Sequence, residues 1–171
     1  MNIEMKRIAK KIDLVITDVD GVLTDGGRYY SDQGEKLKKF HVRDGMGINI
    51  LLRNKIKTII LTKEKSGITK KWANDMNVEE VFSGYANKEK ALELISKKYK
   101  MQLKNMAYIG DDVNDLQVLK QIGFAAVPND AVFQAKKTAD YICKNRGGHG
   151  CFREFSDLIL QAKFGNKTKW Y

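Results

Sequence analysis

Short apolar runs alternate with amphipathic stretches along almost the whole chain, and this alternation restricts the fold more than any other feature. The runs are Leu14–Ile16, Thr58–Leu61, Val81–Phe82, Met106–Ile109, Phe124–Val127 and Tyr141–Cys143. They are rich in β-branched and aromatic residues, and each has the length of a buried strand. Between them the spacing predicts helices. Residues 45–53 carry Met46, Ile50 and Leu51, and residues 88–99 carry Ala91, Leu92, Ile95 and Tyr99 on one face. Residues 112–122 carry Val113, Leu116, Leu119 and Ile122, and residues 150–162 carry Phe155, Leu158, Ile159 and Ala162. Strand–helix alternation repeated this often predicts an α/β fold, a three-layer Rossmann-like parallel sheet flanked by helices. With 171 residues and no linker, repeat or low-complexity tract, the expectation is a single domain over residues 1–171.

One segment interrupts the pattern. In TDGGRYYSDQGEKLKKFHV, residues 24–42, turn residues stand at Asp25-Gly26-Gly27 and at Asp32-Gln33-Gly34. Arg28–Tyr30 and Leu37–Val42 are therefore expected as two arms of a β-hairpin. It would either project as a flap over the end of the first strand or extend the sheet as an edge.

Composition excludes more than it identifies. The chain is 43% apolar and 30% charged, as ordinary globular proteins are. No window approaches the run of roughly 18 apolar residues that a membrane span needs. The start, MNIEMKRIAKKID, has no apolar core of the kind a secretory signal carries, so a cytoplasmic protein is expected. Cys143 and Cys151 form no C-x-x-C pair and read as reduced, inert thiols. The net charge of +10 raises nucleic-acid binding. Yet the lysines, among them Lys36, Lys38, Lys39, Lys63, Lys65, Lys70 and Lys71, are scattered and show no aromatic-interleaved stripe. They read as a solvated surface that can also attract an anionic small molecule.

In open parallel sheets, ligands bind beyond the carboxyl ends of the strands. Reactive groups gather at such ends here. Asp18-Val19-Asp20-Gly21 ends the first run, and Thr62 ends Thr58–Leu61. Lys88 stands at a helix start, and Gly110-Asp111-Asp112 ends Met106–Ile109, with Asp115 one helical turn further. So many carboxylates cannot share one spot ionised without a cation. An all-oxygen set without His or Cys suits Mg²⁺ before Zn²⁺. Mg²⁺, a lysine and a hydroxyl together make a phosphate site. A carboxylate nucleophile beside a second, protonatable carboxylate allows an acyl-phosphate intermediate and general acid/base catalysis.

"DVDGVLTDG", "ILTKE", "NKEKAL" and "YIGDDVNDL" resemble the four ordered motifs of the haloacid dehalogenase superfamily of phosphatases. The resemblance implies Asp18 as nucleophile and Asp20 as general acid/base. It implies Asp18, the main-chain carbonyl of Asp20, and Asp111 as Mg²⁺ ligands. Thr62 and Lys88 match the phosphate binders, with Asp112 and Asp115 supporting the metal's waters and the lysine. Between Asp18 and Thr62 there is room only for the hairpin and one helix, and between Thr62 and Lys88 for one helix and one short strand. Neither interval admits a cap domain. Something else must cover a small substrate, and a neighbouring subunit is the natural candidate.

"FHVRDGMGINIL" and "RGGHGCFREFSDLIL" narrow the resemblance to the capless 3-deoxy-D-manno-octulosonate 8-phosphate phosphatase-like group, over residues 10–162. That group implies a homotetramer, a phosphorylated sugar-acid substrate and lipopolysaccharide biosynthesis. It implies substrate contacts at Arg43, Asp44 and Gly45 at the start of a helix lining the site, and at Glu64, Lys88 and Arg146. Arg146 and Arg153 would lie near the subunit boundary. Their alternative is a local ion pair, for instance with Glu154 or Asp157. One departure stands out. The octulosonate enzymes read T-G-R after the second-motif strand, and this chain reads Thr62-Lys63-Glu64. The acidic residue resembles the sister group acting on nine-carbon ulosonate 9-phosphates. Two readings of other classes fit parts of the pattern. A phosphoacceptor receiver domain places its acidic pair early, whereas Asp111-Asp112 comes last here. A non-catalytic module of sugar-acid activation would not need the full set Asp18, Asp20, Thr62, Lys88 and Asp111.

Overall fold

The computed structural model describes residues 3–171; Met1 and Asn2, which open the basic first stretch, lie outside the described residues. In chain order the elements are α1 (Ile3–Ala9), β1 (Leu14–Thr17), β2 (Tyr29–Ser31), β3 (Gly34–Leu37), α2 (Val42–Arg53) and β4 (Lys57–Thr62). They continue with α3 (Gly67–Asp75), β5 (Glu80–Ser83), α4 (Glu89–Tyr99), β6 (Met106–Ile109), α5 (Leu116–Leu119), β7 (Phe124–Val127), α6 (Phe133–Thr138), β8 (Tyr141–Ile142) and α7 (Cys151–Phe164). Six strands form one parallel sheet in the order β5-β4-β1-β6-β7-β8. Every expected strand run is a strand of it. The chain leaves β1 toward β4 and β5, then returns to the other side of β1 with β6. That reversal opens a crevice at the carboxyl end of β1, where ligands bind in such sheets.

Both faces of the sheet are covered, which is why its strands are apolar throughout rather than alternating. Val15, Ile60, Ala107 and Ile109 pack with α2 and α7 residues such as Ile48, Leu51, Phe155 and Ile159. Leu14, Ile16, Ile59 and Leu61 turn to the opposite face, against Leu92 and Ile95 of α4 and Val118 of α5. Burial of these side chains contributes about 2 kcal/mol each. Cys143 and Cys151 are buried and unpaired, and burial pushes both thiols well above their ordinary range, so they are inert.

Two expectations need adjusting. The second arm of the hairpin is β3, Gly34–Leu37, not Leu37–Val42. Ser31 pairs directly with Gly34 across a two-residue turn, so the return arm begins at once. Val42 belongs to α2, which His41 caps by accepting from the Arg43 N–H at 3.3 Å. The hairpin is a separate two-stranded sheet, not an added edge. A bridge between Thr24 and Phe40 closes its base, and Phe40 stacks on Trp72 of α3 at 4.3 Å. The helix expected over 112–122 is broken into a 3₁₀ turn, Val113–Asp115, followed by α5. The Asp115 carboxylate turns back to accept from the Asp111 and Asp112 N–H groups at 2.8 and 3.2 Å, which tightens that turn.

Asp44 and Gly45, expected at the substrate, lie inside the fold instead. Asp44 is fully buried, and its carboxylate accepts from the Arg153 N–H at 2.8 Å and the Gly150 N–H at 3.2 Å. It caps α7 from another helix, satisfying donors that Gly150 at the helix start leaves open. Burial raises the carboxyl's proton affinity, and the donated backbone N–H groups act against that rise. Gly45 faces Met76 and Trp72, and a methyl group there would overlap the Met76 sulfur. Asp44→Ala should therefore lower unfolding stability by about 2 kcal/mol, read as a shifted urea midpoint. An unchanged midpoint would show that α7 does not depend on this cap.

Candidate active site

The carboxyl ends of β1, β4 and β6 meet in a cleft of about 190 Å³. It is lined by Asp18, Asp20, Arg28, Thr62, Lys63, Glu64, Asp111, Asp112 and Asn114. Of the residues expected to act together, the structure brings Asp18, Asp20, Thr62, Glu64, Asp111 and Asp112 to this wall. Lys88 and Asp115 stand just beneath it.

Asp18 follows β1 directly. Its backbone N–H donates to Ile109 of β6 at 2.9 Å, which fixes the strand ends side by side. One carboxylate oxygen accepts from the Val19 N–H at 2.7 Å, and the other meets the Lys88 ammonium at 2.6 Å. Lys88 is fully buried at the start of α4 and also touches Asp115 at 2.7 Å. Asp115 accepts further from the Tyr108 hydroxyl at 2.6 Å. Burial opposes charge on Lys88, but Asp18 and Asp115 more than offset it and hold the proton on the amine. Tyr108 is raised well above the ordinary phenol range, by burial first and by Asp115 second. Its hydroxyl stays protonated, donating to Asp115 and accepting from the Lys88 ammonium at 3.3 Å.

Asp111 sits against Gly21, whose φ of +85° only a residue without a side chain adopts readily. A methyl group on Gly21 would overlap the Asp111 carboxylate. The first and last acidic motifs are thus in contact. Oxygens of Asp18, Asp111 and Asp115 lie within 4.8 Å of one another. Burial, then the neighbouring negative charge of Asp18 and Asp115, pushes Asp111 up to about 8. Burial pushes Asp18 up to about 6, against the pull of Lys88. Negative charge is crowded here beyond what one ammonium neutralises. An all-oxygen donor set in that state fits a hard divalent cation held by Asp18 and Asp111. Asp115 is committed to Lys88, Tyr108 and the backbone of its own turn.

Thr62 is buried at the end of β4 with its hydroxyl toward the cleft loop, where it accepts from the Glu64 N–H at 3.4 Å. Asp112 accepts from the Val113 N–H at 2.7 Å and starts the 3₁₀ turn. Glu64 is half-exposed and pairs with Arg28 at 3.3 Å. Asp25, the third acidic residue of the first motif, lies outside the cleft, paired with Lys39 at 2.7 Å.

Arg43 and Arg146, expected at the substrate, are not among the residues lining this cleft. Arg43 is exposed on a separate cleft with His149, Arg153 and Asp157. Arg146 is exposed and pairs with Asp130 at 3.1 Å, while Arg153 pairs with Asp157 at 2.7 Å. Glu154 instead binds the Tyr141 hydroxyl and the Lys144 and Asn145 N–H groups. The neighbouring glycines contribute backbone. Gly147 packs on the Gly21 carbonyl so closely that a methyl group would overlap it, and Gly148 donates to Val22 at 2.9 Å.

Sequence reasoning missed three members of the site. Lys38, read as one of the surface lysines, has a fully buried side chain that pairs with Asp20 and Glu35. Arg28 leans over the cleft from the hairpin toward Asp20, Glu35 and Glu64. Tyr108 looks like any apolar strand residue. A lysine two residues from an aromatic, on an arm returning toward the acidic motif, is the only signal for Lys38.

Comparison with known proteins agrees with this geometry. The family profile of haloacid dehalogenase-like hydrolases matches residues 49–154, more than half of the chain. The 3-deoxy-D-manno-octulosonate 8-phosphate phosphatase of Haemophilus influenzae is 40% identical over 159 residues, 93% of this chain and 88% of that protein. The crystal structure of the phosphatase of that name from Yersinia pestis superposes with a TM-score of 0.94 at 35% identity, covering 98% of this chain and 90% of the other. The one from Moraxella catarrhalis, a complex with magnesium ion, phosphate ion and a KDO molecule, gives 0.91 at 35% identity over 94% and 92%.

Without a cation, Asp18 and Asp111 keep protons in the folded chain at pH values where the unfolded chain has released them. Their raised proton affinities therefore favour the folded state at acid pH, and that contribution is lost as pH rises from about 4 toward about 8. A divalent cation needs both groups deprotonated and reverses the trend. The gain in Tm on adding Mg²⁺ to chelated protein should be larger at pH 8 than at pH 5.5, and Asp111→Asn should remove most of it. An equal gain at both pH values would detach these carboxylates from the metal.

Proposed function

The chain belongs to the haloacid dehalogenase-like hydrolases, and within them to the 3-deoxy-D-manno-octulosonate 8-phosphate phosphatase type; from that premise we propose that it hydrolyses the phosphate of a 3-deoxy-2-ulosonic acid phosphate, with Asp18 as nucleophile and Asp20 as general acid and base. It is a phosphatase, and Mg²⁺ is its cofactor. The observation that carries the reading is the contact of the two acidic motifs across Gly21, beside a buried lysine.

Bound by Asp18, Asp111 and the Asp20 carbonyl, Mg²⁺ neutralises phosphate charge and polarises the phosphoryl group. Lys88 holds the Asp18 carboxylate in one orientation, and Asp115 and Tyr108 hold Lys88. Thr62, at the adjoining strand end, donates to a phosphoryl oxygen. Asp18 attacks phosphorus while Asp20 gives its proton to the departing sugar oxygen. Asp20, now a carboxylate, takes a proton from the water that cleaves the acyl phosphate, and Asp18 is regenerated. Asp112 orders the loop around Asp111.

One residue favours a second substrate. Glu64 at the cleft rim offers a carboxylate to sugar hydroxyls where the octulosonate enzymes carry arginine, which suits a nonulosonate 9-phosphate. The reading also takes the enzyme as a cytoplasmic homotetramer in lipopolysaccharide biosynthesis. Support for assembly comes from the hairpin, which exposes Tyr29, Tyr30 and Leu37 to solvent, and from α2, which exposes Val42 and Met46. Arg43 and Arg146 are the cations available to a neighbouring copy or to the substrate carboxylate.

Asp18→Asn should abolish phosphate release, by at least about 10³-fold, and keep the wild-type circular dichroism; turnover near the wild-type rate would overturn the nucleophile. Wild-type enzyme should prefer 3-deoxy-D-manno-octulosonate 8-phosphate over nonulosonate 9-phosphates, with Glu64→Arg widening the gap. The reverse order would assign it to the nine-carbon group. Sedimentation should give four copies, and a monomer would overturn the assembly.

A further inference from the structure

The cleft holds two catalytic carboxylates, and each has its own fully buried lysine. Lys88 grips Asp18 from α4. The second is Lys38, just beyond β3, whose side chain has no exposed surface and whose ammonium meets one oxygen of the Asp20 carboxylate. The other Asp20 oxygen faces Arg28 at 3.7 Å. Lys38 is not among the residues lining the cleft, and it meets Asp20 from within the protein. An ammonium is costly to bury unless carboxylates surround it. Its second partner is Glu35, at 3.4 Å.

Glu35 is itself fastened. Its Oε2 accepts from the Ser66 hydroxyl at 3.0 Å, and Ser66 caps α3 by accepting from the Thr69 N–H. Its Oε1 is buried with no hydrogen-bond partner among the described residues, and faces only the Lys38 and Arg28 cations. The chain of contacts therefore runs from the start of α3 through Glu35 and Lys38 to Asp20. The hairpin does more than cover the cleft.

We propose that Lys38 is a positioning residue, which holds the Asp20 carboxyl at the one place where it can pass a proton to and from the reacting oxygen. The proposal rests on Asp20 being the acid and base of the phosphatase reaction. Asp20 acts twice. It delivers a proton as the bond from phosphorus to the sugar oxygen breaks, and it takes one from water as the bond from phosphorus to Asp18 breaks. An aryl ester with a good leaving group needs only the second act, because the phenolate departs unprotonated.

The test is Lys38→Met in the full-length enzyme with Mg²⁺, on 3-deoxy-D-manno-octulosonate 8-phosphate and on p-nitrophenyl phosphate. On the sugar ester, kcat should fall about 100-fold, the scale of a general acid–base contribution, with KM within about threefold. On the aryl ester, first-turnover release of p-nitrophenolate should fall far less. It should appear as a burst of one per subunit before slow turnover, because the acyl phosphate now waits for its water. Lys38→Arg, which keeps the charge, should recover much of the sugar-ester rate. Equal losses on both esters without a burst would mean that Lys38 only supports the fold and would overturn the proposal, as would an unchanged sugar-ester rate. Should the Met variant fail to fold by circular dichroism, the Arg variant decides, through the same ratio of the two substrates. Loss of activity in wild-type enzyme, or activity surviving in Asp18→Asn, would instead strike at the phosphatase reading.

Discussion

An ammonium between two carboxylates at the end of the central strand sets the terms for the rest of the molecule. Lys88 is surrounded by Asp18 at 2.6 Å and Asp115 at 2.7 Å, with no exposed surface of its own. Charges taken from water this completely must be matched in place, because a misplaced partner leaves an uncompensated ion. The matching explains the local structure around it. Tyr108 is a tyrosine in an otherwise aliphatic strand because Asp115 has a further lone pair to satisfy. The turn after Asp111 is 3₁₀ because Asp115 must also reach back to two backbone N–H groups. Gly21 has no side chain because Asp111 occupies that volume. The surplus of negative charge that remains is the reason a divalent ion belongs here.

The hairpin serves the other carboxylate. Among the described residues no cap domain stands over the sheet, and the segment between β1 and α2 is the insertion near the site. It contributes Arg28, Glu35 and Lys38 to one charged cluster around Asp20 and Glu64. The same arms expose Tyr29 and Leu37, which pair across the hairpin, whereas Tyr30 lies opposite Glu35 and accepts from Arg28 at 3.4 Å. One small element thus carries both the charged groups around Asp20 and an exposed apolar pair, Tyr29 and Leu37.

The fold was legible because periodicity reports burial, and burial dominates here. The central strands β1, β6 and β7, and β4 after its first residue, are buried on both faces, so their apolar character survives in the sequence as continuous blocks. The motif residues Asp18, Asp20, Thr62 and Asp111 were legible because they stand at strand ends, with Gly21 after Asp20 and Gly110 before Asp111. Lys38 was not, since a lysine in a lysine-rich arm looks solvated until its carboxylate partners, far off in sequence, are placed beside it. Asp44 misled for a related reason. It was placed at the substrate by resemblance alone, whereas its hydrogen bonds go to Gly150 and Arg153, more than a hundred positions away. The hairpin arm was misjudged because turn residues fix where a chain reverses, while the length of the return arm is set by where pairing with β2 runs out and α2 begins.

Gly147 and Gly148 rest on the loop that carries Asp20, through the Gly21 carbonyl and the Val22 carbonyl. The acidic loop is synthesised more than a hundred residues before the backbone that braces it. A nascent chain still short of these glycines has its carboxylates but not their buttress, and the Asp44 cap on α7 must wait for the same stretch. Bracing of the acidic loop and docking of α7 are therefore tied to one stretch of chain, residues 147–153.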